Sequence, residues 1–208
     1  RLDRAAAILT VADAQTNGVA LRYLNTRSST ALQDLMAASG GTGFDDVFVM
    51  APVTPVVEMG DAILGRDGCL NFFAGPTDTA FSAKLNFYNV HYGSTHLVGT
   101  SGGNTADMRD ALALMSAGRI NPAMMITHVG GLTAARETTL HLPEIPGGKK
   151  LIYNQVDFPL TAIDDFAAVG KANPVFAELD RVCKANRGMW CLEAERIVLE
   201  KMPRLSIA

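Results

Sequence analysis

The sequence predicts an α/β protein in which helices pack against a parallel sheet. Three short apolar runs, at residues 47–50, 69–74 and 96–100, have the length and composition of buried parallel strands. Between the first two runs, Pro55 stands where the first turn of a helix tolerates proline, and this helix is expected to reach about Leu64. Strand, helix and strand in this order are typical of a doubly wound sheet.

The same alternation continues on both sides of these runs. The other predicted helices cover residues 2–15, about 30–38, 105–117, 132–140, 160–169, 174–186 and 190–201, and the other predicted strands cover residues 19–24, 124–127 and 150–153. The order of elements and turns changes at Gly103. The sequence therefore predicts a division into residues 1–102, which hold the three apolar strands, and residues 103–208.

Composition and charge exclude several classes of function. Apolar residues make up 48% and charged residues 19% of the chain, which is ordinary for a soluble domain. A net charge of −3 gives no basic field that would hold nucleic acid or an anionic membrane surface. The three cysteines are widely spaced and form no C-x-x-C pair, so neither a disulfide framework nor a zinc site built from close cysteines is expected. This cysteine usage favours a reduced, cytoplasmic protein.

Small residues and prolines follow each of the three apolar strands. The segments are Ala51-Pro52, Ala74-Gly75-Pro76 and Thr100-Ser101-Gly102. Open α/β sheets bind ligands beyond the carboxyl ends of their strands, and small residues there let a ligand approach the backbone. These segments are candidate ligand contacts, although tight turns between strands and helices would also require small residues.

Other motifs give weaker signals. The phosphate-binding pattern G-x-G-x-x-G does not occur, and Gly40-Gly41-Thr42-Gly43 follows a helix instead of a strand, so it is expected to be a plain loop. His91 and His96 have no third metal ligand nearby, which favours a structural role for them and for the other two histidines. Lys149-Lys150 could meet a phosphate, but a solvated strand start is the favoured interpretation.

Together, the segments resemble the medium-chain dehydrogenase/reductase family. The resemblance is carried by residues 44–49 (FDDVFV), 67–75 (DGCLNFFAG), 98–103 (VGTSGG) and 126–129 (ITHV). Their order and spacing are similar to the fourth, fifth and sixth strands of the Rossmann-type cofactor domain of that family, followed by its return strand. Residues 70–153 further resemble the sorbose-1-phosphate reductase type, through the motifs NFYNVHY, GNTADM and PGGKKLIY.

The resemblance implies an architecture and a reaction. Residues 1–102 would be a partial, Rossmann-like dinucleotide-binding domain that lacks its first strands, and residues 103–208 would pack largely against a catalytic lobe upstream of Arg1. The implied reaction is reversible hydride transfer between NAD or NADP and a polyol or ketose carbon. A zinc ion with its ligands in the upstream lobe, a small-molecule substrate and a homo-oligomer formed through the cofactor domain are implied as well.

The resemblance also assigns cofactor contacts, all of which except the first residue lie at strand ends. No catalytic residue and no metal ligand is expected within the chain. The expected contacts are Arg1, Ala51 and Pro52 beside the adenosine ribose, Phe73, Ala74 and Gly75 beside the nicotinamide, and Thr100, Ser101 and Gly102 at the carboxamide.

Two alternatives to this interpretation stay open at the level of sequence. The first is a zinc-independent, quinone-reductase-like member of the same superfamily. The second is a nucleotide-binding protein that keeps the fold without turnover.

Overall fold

A computed structural model describes residues 2–205, and these residues divide into two compact units. One unit contains residues 11–108, and the other contains residues 3–10 together with the described residues from Arg109 onward. The predicted division of roles between residues 1–102 and residues 103–208 stays a prediction, because compactness alone assigns no role to a unit.

Helices and strands alternate through most of the described chain. Three short 3₁₀ helices lie at Pro122–Met125, Leu132–Ala134 and Ile163–Asp165. The α-helices are α1 (Leu2–Ile8), α2 (Val11–Thr16), α3 (Ala31–Ala38), α4 (Thr54–Ala62), α5 (Phe87–Tyr92), α6 (Thr105–Ser116), α7 (Ala135–Leu140), α8 (Phe166–Val169), α9 (Pro174–Ala185) and α10 (Leu192–Lys201). The strands are β1 (Phe44–Val49), β2 (Leu64–Phe72), β3 (His96–Gly99), β4 (Ile126–Gly131), β5 (Lys149–Tyr153) and β6 (Thr161–Ala162).

The first unit is built on a parallel sheet with the strand order β1-β2-β3. Helix α4 connects β1 to β2 and covers one face of the sheet, where Val57 of the helix joins Val49 and Leu70 in a buried cluster. Gly60 allows the close packing of this helix, because a Cβ atom there would lie 3.0 Å from the Leu70 side chain. The predicted strand, helix and strand are thus confirmed for this part of the chain.

Side chains of α4 also fix the loop that follows β2. They are spaced about one helical turn apart, so they lie on one side of the helix. The Thr54 hydroxyl donates a hydrogen bond to the carbonyl of Ser82 (3.0 Å), the Glu58 carboxylate accepts one from the amide of Lys84 (3.1 Å), and the buried Asp61 carboxylate accepts one from the amide of Asn86 (2.8 Å).

The second unit has a mixed sheet with the strand order β5-β4-β6, in which β4 is parallel to β5 and antiparallel to β6. Helices α8, α9 and α10 enclose an apolar core with this sheet, and Val129, Phe166, Leu179 and Val198 are fully buried in it. This unit thus has an apolar core of its own. The predicted packing of residues 103–208 against an upstream lobe stays a prediction.

Several element boundaries differ from the sequence prediction. Residues 19–24 form no strand, since the described sheet offers them no neighbouring strand to pair with. The helix expected over residues 2–15 is interrupted at Thr10, a β-branched and therefore poor helix former. Residues 66–68, whose Arg-Asp-Gly sequence favours a turn, lie inside β2 as an irregularity in register, with Asp67 at a φ of 60°.

The second unit shows similar shifts in its boundaries. Residues 122–125 form a 3₁₀ helix, and the strand predicted at 124–127 is instead β4, which runs from Ile126 to Gly131. The helix expected at 160–169 begins as the short strand β6, which pairs with β4 through Thr161 and Ala162. Tertiary pairing with β4 overrides the local helix signal there.

A partly buried polar network links β5 to the helical layer of the second unit. The Tyr153 hydroxyl donates a hydrogen bond to the Glu195 carboxylate (2.7 Å) and accepts one from the Trp190 indole N–H (3.0 Å). Burial, together with the hydrogen bond to Glu195, holds the pKa of Tyr153 well above its ordinary value, so the hydroxyl keeps its proton.

Substitution Tyr153→Phe should lower the free energy of unfolding by about 1–3 kcal/mol, because it leaves the indole N–H of Trp190 without this acceptor. Urea unfolding of the chain measures the change. The matched control is Tyr88→Phe, which removes the same hydroxyl from an exposed ring and should change the free energy far less. Equal effects of the two substitutions would contradict a stabilising role of the network.

Candidate cofactor-binding site

The three strands of the first sheet end at the same level. Val49, the last residue of β1, lies opposite Phe72 in the parallel register, and Phe72 lies opposite Gly99, the last residue of β3. Because parallel strands present their carboxyl ends at one edge, the segments that follow these residues are brought together there. The structure thus places Ala51, Pro52, Phe73, Ala74, Gly75, Thr100, Ser101 and Gly102 at one edge of the sheet.

The segment after β1 leads directly into a helix. Ala51 accepts a backbone hydrogen bond from Val53 (2.9 Å), and α4 begins at Thr54 with Pro55 in its first turn. Val53, at the N-cap position, supplies no side-chain hydrogen bond to the first turn. The N-terminal end of α4 therefore presents the positive end of its dipole at the carboxyl end of β1.

The segment after β2 is held against β1 by its backbone. The amides of Phe73 and Ala74 both donate to the carbonyl of Val49, at 3.1 and 3.0 Å, so these two N–H groups are already used within the protein. Ala74 is buried, whereas 53% of Phe73 is exposed, which leaves the phenyl ring as the surface that this segment offers to a ligand. Gly75 is exposed and has no atom within 4 Å of an added Cβ position.

The segment after β3 is exposed throughout and contains a left-handed residue. Gly102 has a φ of +69°, a conformation that side chains disfavour, while the space around its Cβ position is open to 4 Å. The glycine is thus required by the backbone conformation of the turn and not by a close neighbour within the chain. The Thr100 hydroxyl donates a hydrogen bond to the Asn71 side chain (3.3 Å) on the neighbouring strand.

An apolar cleft of about 410 Å³ lies beside this edge, and the sequence did not predict it. The Phe81 ring stacks on Phe72 with a centroid separation of 5.7 Å, and Leu97 and Gly99 of β3 also line the cleft. Phe81 is brought back onto the sheet by a loop whose path depends on the hydrogen bonds from α4. Local sequence periodicity carries no signal for such a contact.

The other candidate groups that the structure describes lie away from this edge. Arg1, the predicted ribose contact, lies outside the described residues. Lys150 is used structurally, because its ammonium donates hydrogen bonds to the carbonyls of Ile145, Pro146 and Gly148 at 2.9–3.1 Å. His96 forms a hydrogen bond with Asp67 (2.9 Å) near the amino end of β3.

Neither a metal centre nor a membrane span is found in residues 2–205. No three histidine, cysteine, aspartate or glutamate side chains in this part of the chain are grouped so that they could hold a metal ion. None of its helices is long and apolar enough to cross a membrane.

Curated relatives match nearly the whole chain. It is 54% identical over 200 residues to an uncharacterized protein of Escherichia coli and 52% identical over 201 residues to a mannitol-1-phosphate 5-dehydrogenase of Aliivibrio fischeri. It is 51% identical over 179 residues to an L-sorbose 1-phosphate reductase of Klebsiella pneumoniae. These matches cover 96%, 96% and 86% of the chain but 47%, 48% and 42% of the relatives, so the chain spans about half their length.

Solved structures share the fold at low sequence identity. An alcohol dehydrogenase zinc-binding domain protein of Burkholderia ambifaria matches with a TM-score of 0.56 at 14% identity, over 69% of this chain and 40% of that one. The alcohol dehydrogenase of Aeropyrum pernix matches with a TM-score of 0.52 at 16% identity, over the same shares. No family model matches the chain.

The chain thus has part of the α/β, Rossmann-like fold of zinc-type alcohol dehydrogenases. The predicted resemblance to the medium-chain dehydrogenase/reductase family is confirmed by that fold together with the relatives named as sugar-phosphate dehydrogenase and reductase. The roles that the resemblance assigns to single residues stay predictions.

The protonation state of His128, a partly buried residue of β4, affects the stability of the second unit. The Thr127 hydroxyl lies 2.9 Å from its Nδ1 atom and accepts a hydrogen bond from the Gly148 amide (2.9 Å). Burial disfavours the imidazolium and lowers the pKa of His128 below its ordinary value, and the nearby Lys150 charge lowers it further.

The free energy of unfolding should therefore fall as the pH drops below the ordinary histidine pKa of 6.5. The unfolded state then takes up a proton at His128 before the folded state does, so acid favours unfolding, and the stabilisation is restored above that pH. Urea unfolding between about pH 5 and pH 8 measures this dependence. His128→Gln should flatten this dependence; an unchanged slope in His128→Gln would refute the assignment.

Proposed function

We propose that the chain is the cofactor-binding half of an oxidoreductase that transfers hydride between NAD or NADP and a polyol, ketose or sugar phosphate. The observation that carries the proposal is the register of the first sheet, which brings eight predicted cofactor contacts to one edge. The names of two relatives, a mannitol-1-phosphate 5-dehydrogenase and an L-sorbose 1-phosphate reductase, support the substrate class.

The shape and chemistry of this edge fit a dinucleotide. Small residues at Ala51 and Gly75 leave space for a ligand close to the backbone. The N-terminal end of α4 favours a negatively charged or polar group beside Ala51 and Pro52, where we place the adenosine ribose. The exposed ring of Phe73 offers a flat apolar wall to the nicotinamide.

The turn at Thr100, Ser101 and Gly102 would hold the carboxamide of the nicotinamide. Backbone amides and carbonyls are well suited to this group, because a carboxamide both donates and accepts hydrogen bonds. Fixing the carboxamide fixes the orientation of the ring, and ring orientation decides which face meets the substrate. The bound cofactor itself supplies or accepts the hydride.

In this proposal, the residues that would bind zinc lie outside this chain. Residues 2–205 contain no group of three histidine, cysteine, aspartate or glutamate side chains that could hold it. The proposal assigns its ligands to the other half of the protein. There it would polarise the oxygen of the alcohol or carbonyl. Metal analysis of the full-length protein separates this proposal from a zinc-independent, quinone-reductase-like reaction.

Gly102→Val in the full-length protein tests the cofactor turn. The side chain would enter the space proposed for the nicotinamide, and we expect NADH or NADPH to bind more weakly by about 1–3 kcal/mol. Fluorescence titration of the folded variant measures the affinity. The matched control is Gly188→Val, since Gly188 has a similar φ of +73° and equally open surroundings but lies far along the chain in the second unit.

Both glycine substitutions should lower the melting temperature, because each forces a side chain into left-handed backbone. Only Gly102→Val should also change cofactor affinity. If Gly102→Val lowers the melting temperature but leaves the affinity for NADH and NADPH unchanged, the glycine is needed only for the turn. The assignment of Gly102 as a cofactor contact would then be wrong.

The 208-residue chain by itself should show no dehydrogenase turnover. It contains no G-x-G-x-x-G pyrophosphate motif, and the proposed zinc ligands lie elsewhere. Steady-state assays with mannitol 1-phosphate or sorbose 1-phosphate and either cofactor check this, with the full-length protein as the positive control. Turnover by the 208-residue chain alone would contradict the proposal that the reaction needs both halves of the protein. If neither the chain nor the full-length protein shows turnover, a non-catalytic nucleotide-binding protein is favoured.

A further inference from the structure

The second unit contains an apolar cavity of about 650 Å³. The buried ring of Phe158 and the partly buried side chains of Ile145 and Leu160 line it, and a few polar side chains complete its wall. A volume of this order and a mainly apolar lining with few polar groups are typical of sites for small molecules. Every residue that lines the cavity belongs to the second unit, so it shares no residue with the proposed cofactor edge.

Backbone hydrogen bonds fix one wall of the cavity in place. The amide of Gly131, the last residue of β4, donates to the carbonyl of Phe158 (2.9 Å), and the amide of Asp157 donates to the carbonyl of Pro203 (2.8 Å). Glycine is required at position 131, because a Cβ atom there would collide with the carbonyl of Val156. The position of Asp157 is therefore set by the fold before any ligand binds.

The carboxylate of Asp157 lies at the wall of the cavity without a neutralising cation. This residue is partly buried and accepts a hydrogen bond from the Thr133 hydroxyl, but no lysine, arginine or histidine in the described part of the chain forms an ion pair with it. The other carboxylate at the cavity differs: Glu137 accepts a hydrogen bond from Arg136, and its second oxygen lies 3.6 Å from His141. Because a partly buried charge without a partner is costly, Asp157 would favour a cation from outside the chain.

We propose that this cavity binds a small organic amine, whose ammonium group meets the Asp157 carboxylate and whose apolar body lies against Phe158 and Leu160. An ammonium group supplies both the positive charge and the hydrogen-bond donors that this carboxylate lacks. Contact of the hydrocarbon part with the apolar lining removes both surfaces from water. An uncharged alcohol would leave the charge of Asp157 without a partner, and the carboxylates of Asp157 and Glu137 would repel an anion.

Calorimetric titration of the full-length protein with three ligands of one shape tests the proposal. Cyclohexylamine, cyclohexanol and cyclohexanecarboxylate are positive, neutral and negative at about pH 7. We expect saturable binding of the amine, binding of the alcohol that is weaker by about tenfold or more, and no binding of the carboxylate. A full-length protein that does not bind the amine, or that binds the amine and the alcohol equally, would overturn the proposal.

The substitution Asp157→Asn in the full-length protein tests the proposed anchor. Asparagine has nearly the same shape and can still accept the hydrogen bond from Thr133, so thermal melts should show a folded protein. The affinity for cyclohexylamine should fall by about tenfold or more, while that for cyclohexanol stays nearly the same. The matched control is Glu200→Gln, which removes one negative charge from an exposed position of α10 in the same unit and should leave the amine affinity within about twofold. Equal losses of amine affinity in the two variants would show a general effect of charge and would contradict a site at Asp157.

Discussion

The parallel register between β1, β2 and β3 is the constraint on which the rest of the candidate site depends. It places Val49, Phe72 and Gly99 side by side, so that three segments separated by more than twenty residues from one another end at the same edge. A shift of one residue in any pair would turn the following side chains to the opposite face. The register is held from one side by the packing of Val57 on Val49 and Leu70.

Much of this arrangement could be predicted from the sequence, because it depends on local signals. The apolar runs that became β1, β2 and β3 and the proline that begins α4 are such signals, and they place the small residues at strand ends correctly. The contact of Phe81 with Phe72 and the three hydrogen bonds of Lys150 could not be predicted, since each depends on how a loop returns to its own unit. Residues 19–24 have strand-like composition but no partner strand in the described sheet, and composition alone cannot supply one.

Each of the two compact units has its own apolar core, although the chain spans only about half the length of its curated relatives. The larger core, around Phe166 and Leu179, lies in the unit that the sequence predicted to depend most on an upstream lobe. In the first unit, Phe73, Gly75 and residues 100–102 are exposed instead, and these residues carry no charge. In the proposed function, this chain binds the cofactor, and the chemistry at the substrate oxygen is assigned to the other half of the full-length protein.

The central claim, that the three strand ends together bind the cofactor, is tested most directly by hydrogen exchange of the full-length protein with and without NADH. The account predicts that saturating NADH slows amide exchange in all three segments, residues 50–53, 73–75 and 100–103, while the second unit around β4 and α9 exchanges as before. Protection confined to one segment, or found only in the second unit, would contradict a shared cofactor edge on the first sheet.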